Sequence, residues 1–446
     1  EVEDPEHGTV TMPGVPIRPE GGRPDLRGRR WIGAGCDGGI DWQSPPPEPR
    51  AAAGAGPASE ERRSRQGPLA GYRILDLGTI LAGPYAGSLL AQLGAEVVKV
   101  EPVTGDPFRA RGFMYNRGLR SLAVDLRDRR GLDAFRKLAA SSDVVVDNFR
   151  NGVAARLGVD RAHLRDVHPE LVTVSISGFG DRGPLAEAPG FDPILQAMSG
   201  MMRAQGGPGE PVFVTTPVND VGAAVCGALA ACLGLFDRLT SGRGRSLRTS
   251  LLSLATLLQA DEVVTWPGCG PGPRGGPDFA GRSPLRRYYR VADGWIRLEA
   301  EPSGRRDLEQ LVVGTAPGGP GLNDAELERG LAARLESLRR DEAATLLRGP
   351  GRVAVAVRTL EDLVADGGPL ELHRPPAGSA FYTAGRLVAL DRTQEQGPFV
   401  APGLGEHSRA VLAAAGMAPG AIDALVEAGV VAEGSPMVIG DFAAYR

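Results

Sequence analysis

From Tyr72 onward the chain alternates short apolar runs with longer segments whose apolar residues fall three and four positions apart. A short apolar run closed by glycine or proline reads as a buried strand, and the longer spacing reads as an amphipathic helix. YRILDLG, beginning at Tyr72, is such a run, the segment from Tyr85 to Leu93 (YAGSLLAQL) has helical spacing, and EVVKVEP closes at Pro102. Strand, helix and strand in this order predict a βαβ unit. SLAVDL, DVVVDNF and LVTVSISGFG continue the strands, alternating with the helical stretches LDAFRKLAASS and VAARLG. The alternation predicts an α/β fold, doubly wound, with a parallel sheet covered on both faces.

The pattern breaks twice. DWQSPPPEPRAAAGAGPASEERRSRQG, from Asp41 to Gly67, has no apolar period and reads as a flexible linker. PGCGPGPRGGPDFAGRSP, from Pro267 to Pro284, marks a domain boundary or an active-site loop. Beyond it YYRVADGWIRLEA, a charged helical stretch from Asp324 to Leu347, and VAVAVRTLEDLV predict a smaller α+β region. APGLGEHSRAVLAAAG should return the chain to the large domain. The most apolar stretch, Val221 to Phe236, is about 16 residues long, short of the ~20 that cross a bilayer. Its Ala, Gly and Cys content predicts a close-packed buried helix and no membrane partner.

Composition narrows the function. A length of 446 residues with 42% hydrophobic content suits two or three domains with ordinary cores. A net charge of -4 without a basic, aromatic-laced stripe argues against nucleic acid as a partner. Cys36, Cys226, Cys232 and Cys269 form no CxxC and have no histidine at ligand spacing, so neither a metal site nor a disulfide framework is expected. A reducing cytoplasm fits, and the amino terminus has no basic and apolar leader pattern. GTILAGPYAG lacks the GK[ST] of a P-loop, and GCGPGPRGG is not framed by strand and helix as a dinucleotide fingerprint requires. Only Lys99 and Lys137 are lysines among 50 basic residues. Lys99, inside VVKVEP, reads equally as a required ammonium and as a survivor at a strand end.

One carboxylate stands out. In GFGDRGPLAEAPGFDPILQAMSGMM, from Gly178, Asp192 follows a Gly- and Pro-rich turn and precedes a helix start. Ionised at neutral pH, it needs no general base to attack an activated carbonyl. The same position suits a helix cap. Asp220, at the start of the apolar helix, is read as that helix's N-cap.

Taken with GPLAGYRILDLGTILAGPYAGSLLAQLGAEVVKVEPVTGDP from Gly67, this segment resembles the family III CoA-transferases, the CaiB/BaiF group. NRGLRSLAVDL at Asn116, VVVDNFRNGVAARLG at Val144, GRGRSLRTSLL at Gly242, SPLRRYYRVADGWIRLEA at Ser283 and APGLGEH at Ala401 follow in the same order. The resemblance covers roughly residues 67–446. It implies a Rossmann-like large domain with a smaller α+β domain, and a transferase of CoA from an acyl-CoA to a free carboxylic acid. It implies that Asp192 carries the acyl group; the turn before it places that carboxylate at a pocket edge, outside the core, so that Asp192→Ala should spare the fold.

Positions implied to contact CoA are Ile80, Leu81, Ala82, Lys99, Glu101, Arg120, Asn148, Phe149, Arg150 and Arg156. Acyl-CoA is then a substrate, with no metal. Two departures stand out: many members carry lysine where Leu119 stands, and some carry a glutamine, a possible oxyanion donor, where Leu81 stands. Backbone amides in the loop Gly268 to Gly276 are the alternative oxyanion donors.

EDPEHGTVTMPGVPIR resembles the tail that closes a family III unit, which suggests a tandem fusion with a truncated first copy and a tail packed through Val10, Met12, Val15, Ile17 and Trp31. The expected organisation is tail 1–42, linker 43–66, large CoA-binding domain 67–265, Gly/Pro-rich loop 266–285, small domain 286–372 and return segment 373–446. Family members form interlocked dimers, so a homodimer or a pseudo-dimer with a second transferase unit is expected. Two alternatives remain. A 2-methylacyl-CoA racemase typically reads Gly-His-Asp where this chain has Gly190, Phe191 and Asp192, and its second base would have to be His163 or His168. A non-catalytic pairing copy is the other.

Overall fold

The computed structural model describes residues 2–4, 7–20, 66–109, 113–270, 275–314, 321–367, 370–373, 381–385, 387–388, 390–391, 393 and 400–435. They divide into two units. One comprises Glu1–Met201, Phe213–Gly270 and Glu371–Arg446, the other Met202–Val212 and Pro271–Leu370.

The larger unit is built on strands β1 (Arg73–Asp76), β2 (Glu96–Glu101), β3 (Arg120–Val124), β4 (Val144–Asp147), β5 (Val172–Ser177) and β6 (Ser246–Ser250). They are parallel in the order β3-β2-β1-β4-β5-β6. The expected runs all become strands; β6, inside GRGRSLRTSLL, joins them. Two-residue antiparallel strands flank the set, Val431–Ala432 on β3 and Arg18–Pro19 on β6, giving eight strands in all.

Alternation along each strand sends neighbours to opposite faces. Ile74, Val97, Val144 and Val174 pack with helices α1 (Ala82–Gln92) and α5 (Val218–Ser241). Leu75, Val98, Val100 and Val145 pack with α2 (Arg129–Ala139) and with α10 (Ser408–Ala414) and α11 (Pro419–Glu427), which the return segment supplies. Helices α3 (Val153–Leu157), α4 (Asp192–Met198) and α6 (Leu251–Leu257) lie in the connections.

Small residues let α5 approach the sheet. A Cβ on Gly227 would meet Ile176 Cδ1 at 2.6 Å, and one on Gly234 would meet Val172 Cγ1 at 2.5 Å. This helix has the length and apolarity of a membrane span, yet its glycine and alanine face is core. The expectation of a close-packed buried helix holds for that face alone, because Val225, Leu229, Leu233 and Phe236 form an exposed apolar stripe along the other side.

Near the amino terminus, Val2–Asp4 and Gly8–Val10 pair as a hairpin and Thr11 bridges to Thr265. Ile17 packs against the core, while Trp31 and the linker from Pro45 to Arg65 lie outside the described residues. The smaller unit is an antiparallel sheet of β7 (Gly281–Ser283), β8 (Arg286–Val291), β9 (Gly294–Ala300) and β10 (Arg352–Ala356) in chain order. One face is covered by α7 (Arg305–Val313), α8 (Asp324–Leu335) and α9 (Arg340–Leu347) through Leu308, Leu327, Leu331 and Leu347.

Candidate active site

In a sheet of order 3-2-1-4-5-6, the loops after β1 and β4 diverge to opposite faces and leave a crevice at their carboxyl ends. A cavity of about 400 Å³ lies there, lined by Thr79 and Ile80 after β1 and by Asn148, Phe149, Arg150 and Arg156 after β4. Gly178 after β5, Gly190 and Phe191 before α4, and Asp220 in the first turn of α5 complete the wall. Five of the expected CoA-contacting residues therefore meet at one crevice, although β1 and β4 are separated by two strands and three connections in sequence.

The β1 loop is shaped from beneath. Ile80 holds φ at 66°, a left-handed conformation costly for a β-branched residue. Its N–H donates to Asp106 Oδ2 at 2.8 Å, and Lys99 Nζ donates to the same oxygen at 3.3 Å and to the Gly78 carbonyl at 2.8 Å. Glu101 accepts from Arg109, from Ser121 Oγ and from the Asp106 amide.

Lys99 is 0% exposed and Glu101 2%, so the structure assigns neither to the cavity lining. Expected as CoA contacts, both are tied into the support of the Gly78–Ile80 turn. Burial pushes the neighbouring Asp76 carboxyl up to about 6 despite the Lys99 ammonium. Leu81 and Ala82 are likewise buried where α1 begins. Arg120 opens β3, away from the strand ends that form the crevice, and pairs with Glu96 at 2.7 Å.

On the β4 side, Asn148 is held by a reciprocal pair of 2.8 Å bonds to the Thr79 backbone. Asn151 bonds the carbonyls of Gly180 and Ala186 and ties down the segment leading to Asp192. That segment approaches β5 so closely that a Cβ on Gly190 would lie 2.6 Å from the Gly178 Cα.

Asp192 is the first residue of α4, 4% exposed. Its Oδ1 accepts from Gln196 Nε2 at 2.5 Å, and its Oδ2 accepts from the backbone amides of Asn219 at 2.7 Å and Asp220 at 3.3 Å. Those amides are orphan donors of the first turn of α5, where helix dipole and N–H groups favour an anion. Two expectations are thereby corrected. Asp192 stands behind the lining residues Gly190 and Phe191, where the α5 amides hold it, and is absent from the lining itself. Asp220 does not cap α5: Pro217 is the N-cap residue and Asp192, far back in the chain, supplies the acceptor. Burial, and then the Asp192 charge, push the Asp220 carboxyl up to about 7. Sequence spacing carried no signal for this pair beyond the two helix starts.

The lining contains no histidine. His163 is exposed on the turn Arg161–Leu164, against Asp160, and His168 follows that turn. Among the described residues no group of His, Cys, Asp and Glu is placed to hold a metal ion. Within the loop expected to supply oxyanion amides, residues 271–274 lie outside the described residues.

Comparison with known proteins agrees with this architecture. The model of CoA-transferase family III matches residues 69–408. A succinate–glutarate CoA-transferase of Agrobacterium fabrum is 34% identical over 273 residues, 56% of this chain and 68% of that enzyme. An alpha-methylacyl-CoA racemase of Mus musculus is 34% identical over 234 residues, 51% of this chain and 59% of that one. The crystal structure of a CAIB/BAIF family protein from Brucella suis superposes with a TM-score of 0.68 at 26% identity, covering 78% of this chain and 100% of that one.

Proposed function

We propose, for a chain that belongs to CoA-transferase family III, that it moves CoA from an acyl-CoA thioester to a free carboxylic acid with Asp192 as the acyl carrier. The observation that carries this reading is the Asp192 carboxylate held against the amino end of α5, directly behind a cavity at the switch point of the sheet. In the reading, an Asp192 oxygen attacks the thioester carbonyl and CoA leaves as thiolate, giving an acyl-aspartyl anhydride. The thiolate attacks the Asp192 carbonyl, releasing the donor acid and leaving an aspartyl-CoA thioester. The acceptor carboxylate repeats these steps in reverse and departs as the new acyl-CoA.

A carboxylate is a weak nucleophile, so positioning has to contribute much of the rate; effective molarities of about 10⁵–10⁸ M show what alignment supplies. Phe149 offers a flat face for an adenine, and Arg150 and Arg156 offer charge-assisted donors to phosphate. Ile80 and Asn148 contribute backbone and amide groups to the same wall. Lys99 and Glu101 serve as positioning residues for the loop. Dicarboxylates such as succinate and glutarate are the first substrates to test, by analogy with the Agrobacterium relative.

Racemization is disfavoured because the Gly-His-Asp step expected of a racemase reads Gly190, Phe191 and Asp192 here, and the lining has no histidine. We place the enzyme in the cytoplasm and pair it with a second copy through the exposed α5 stripe. Leu233→Glu should then shift the mass seen by light scattering toward monomer, and an unchanged mass would discard that surface. The chemistry is tested by mixing the protein with succinyl-CoA and hydroxylamine. A hydroxamate on Asp192, found by mass spectrometry, is expected; turnover with a hydroxamate at another carboxylate refutes the assignment.

A further inference from the structure

Among the lining residues, the side chains that can donate a hydrogen bond are Thr79, Asn148, Arg150, Arg156 and, when protonated, Asp220. Leu81 stands where a glutamine would serve, and it is an apolar residue, buried, with no place in the lining. The Asn148 amide is spent on the Thr79 backbone, and Arg150 and Arg156 are assigned to phosphate. Thr79 brings a hydroxyl on the β1 loop, but Asp220 is the lining residue bonded through its own amide to the nucleophile, at 3.3 Å.

We propose that Asp220 is a second catalytic carboxyl, whose hydroxyl donates a hydrogen bond to the thioester oxygen as Asp192 attacks. This inference rests on the reading of Asp192 as the acyl carrier. As the Asp192 oxygen bonds to the thioester carbon, the carbonyl π pair moves onto oxygen, and the Asp220 O–H stabilises that charge. When the pair returns, the C–S bond breaks and CoA leaves as thiolate. The proton stays on Asp220 throughout.

Asp220 is suited to this because burial, and next the adjacent Asp192 charge, push its carboxyl up to about 7, so much of it carries a proton at neutral pH. Two carboxyls whose environments separate their protonation can divide the roles of nucleophile and donor. The other titratable groups beside it are the Tyr115 phenol, whose own pKa is raised by burial and then by Tyr85 and Asp220, and the Tyr85 phenol, edge-on to Tyr115 at 5.3 Å. Arg150 and Arg156 share the same cavity.

The test is a single-turnover measurement of thiol release from succinyl-CoA, from pH 5.5 to 9, in wild type, Asp220→Ala and Asp220→Asn. Wild-type release should fall as pH rises above about 7. Asp220→Ala should lose roughly 10²-fold at pH 6, the scale of one oxyanion donor, while the Asp192 hydroxamate still forms slowly. Asp220→Asn keeps an N–H donor that does not titrate, so it should stay within about tenfold of wild type and lose the falling limb. Should Asp220→Ala fail to fold, the limb in Asp220→Asn decides. An Asp192 hydroxamate in wild type, combined with an unaltered Asp220→Ala rate or a retained limb in Asp220→Asn, overturns this inference alone. No Asp192 hydroxamate in wild type overturns it together with the reading beneath it.

Discussion

Replacing Asp192 tests structure and chemistry together. Its carboxylate accepts from Gln196 and from two amides of the α5 amino terminus, so Asp192→Ala leaves three N–H donors without their acceptor. Hydrogen bonds to a charged group contribute about 1.5–3 kcal/mol each, and a charge at a helix end adds about 0.3–1 kcal/mol. These do not sum, because the donors share one carboxylate and the gap admits water; a loss of about 3–5 kcal/mol is expected, as for one partner of a buried ionic contact. The expectation that Asp192→Ala spares the fold is therefore replaced by a measurable loss of stability.

Asp192→Asn is milder. One oxygen can still face the α5 amides, but its new NH₂ meets the Gln196 amide, which cannot turn without surrendering its two bonds to the Val214 backbone, at 2.8 and 3.0 Å. About 1–3 kcal/mol should be lost, with the fold retained and acyl transfer abolished. Urea denaturation followed by circular dichroism gives the stabilities, and hydroxylamine trapping gives the chemistry. An Asp192→Ala protein as stable as wild type would refute the anchoring argument, and substantial transfer by Asp192→Asn would refute the nucleophile.

Three further outcomes are expected. Arg150→Ala should weaken CoA binding by tenfold or more in calorimetry, from about 1.5–3 kcal/mol per charge-assisted contact; unchanged affinity removes the phosphate role. Gly190→Ala places a methyl 2.6 Å from the Gly178 Cα, and a shift of the Phe191–Asp192 turn by about 1 Å should slow hydroxamate formation about 10²-fold; a wild-type rate would show that the turn tolerates the methyl. Burial pushes Asp147 up to about 6, against its bonds from Ser175 and Phe149. The folded state then binds more protons than the unfolded one from pH 3.8 to about 6, so this contribution to stability is present below that window and lost as pH rises through it. Asp147→Asn should flatten the corresponding decline in denaturation midpoint, and an identical decline would count against the buried carboxyl.

Local pattern was sufficient for much of this protein, because side-chain period is a local property. The continuous apolar runs of ILD, VVKVE and VVVD mark strands buried on both faces, the helical spacing of YAGSLLAQL marks the apolar side of α1, and the order of motifs carries the family. The glycines at Gly178 and Gly190 are legible as turns, but their backbone contact is not, since it depends on how the segment after β5 folds back. Strand order is likewise a long-range outcome: placing β4 beside β1 creates the crevice and brings Ile80 to Asn148.

Tertiary structure alone decided the electrostatics. Lys99 and Glu101 turn inward because Asp106, Arg109 and Ser121 await them there. Asp220 lost its role as a cap because the α5 amides took an acceptor from a different helix. Desolvation and a neighbouring charge depend on three-dimensional distance, to which sequence separation is blind. That is why Asp192 and Asp220 could each be read from sequence as residues at helix starts, while their pairing emerged only from the fold.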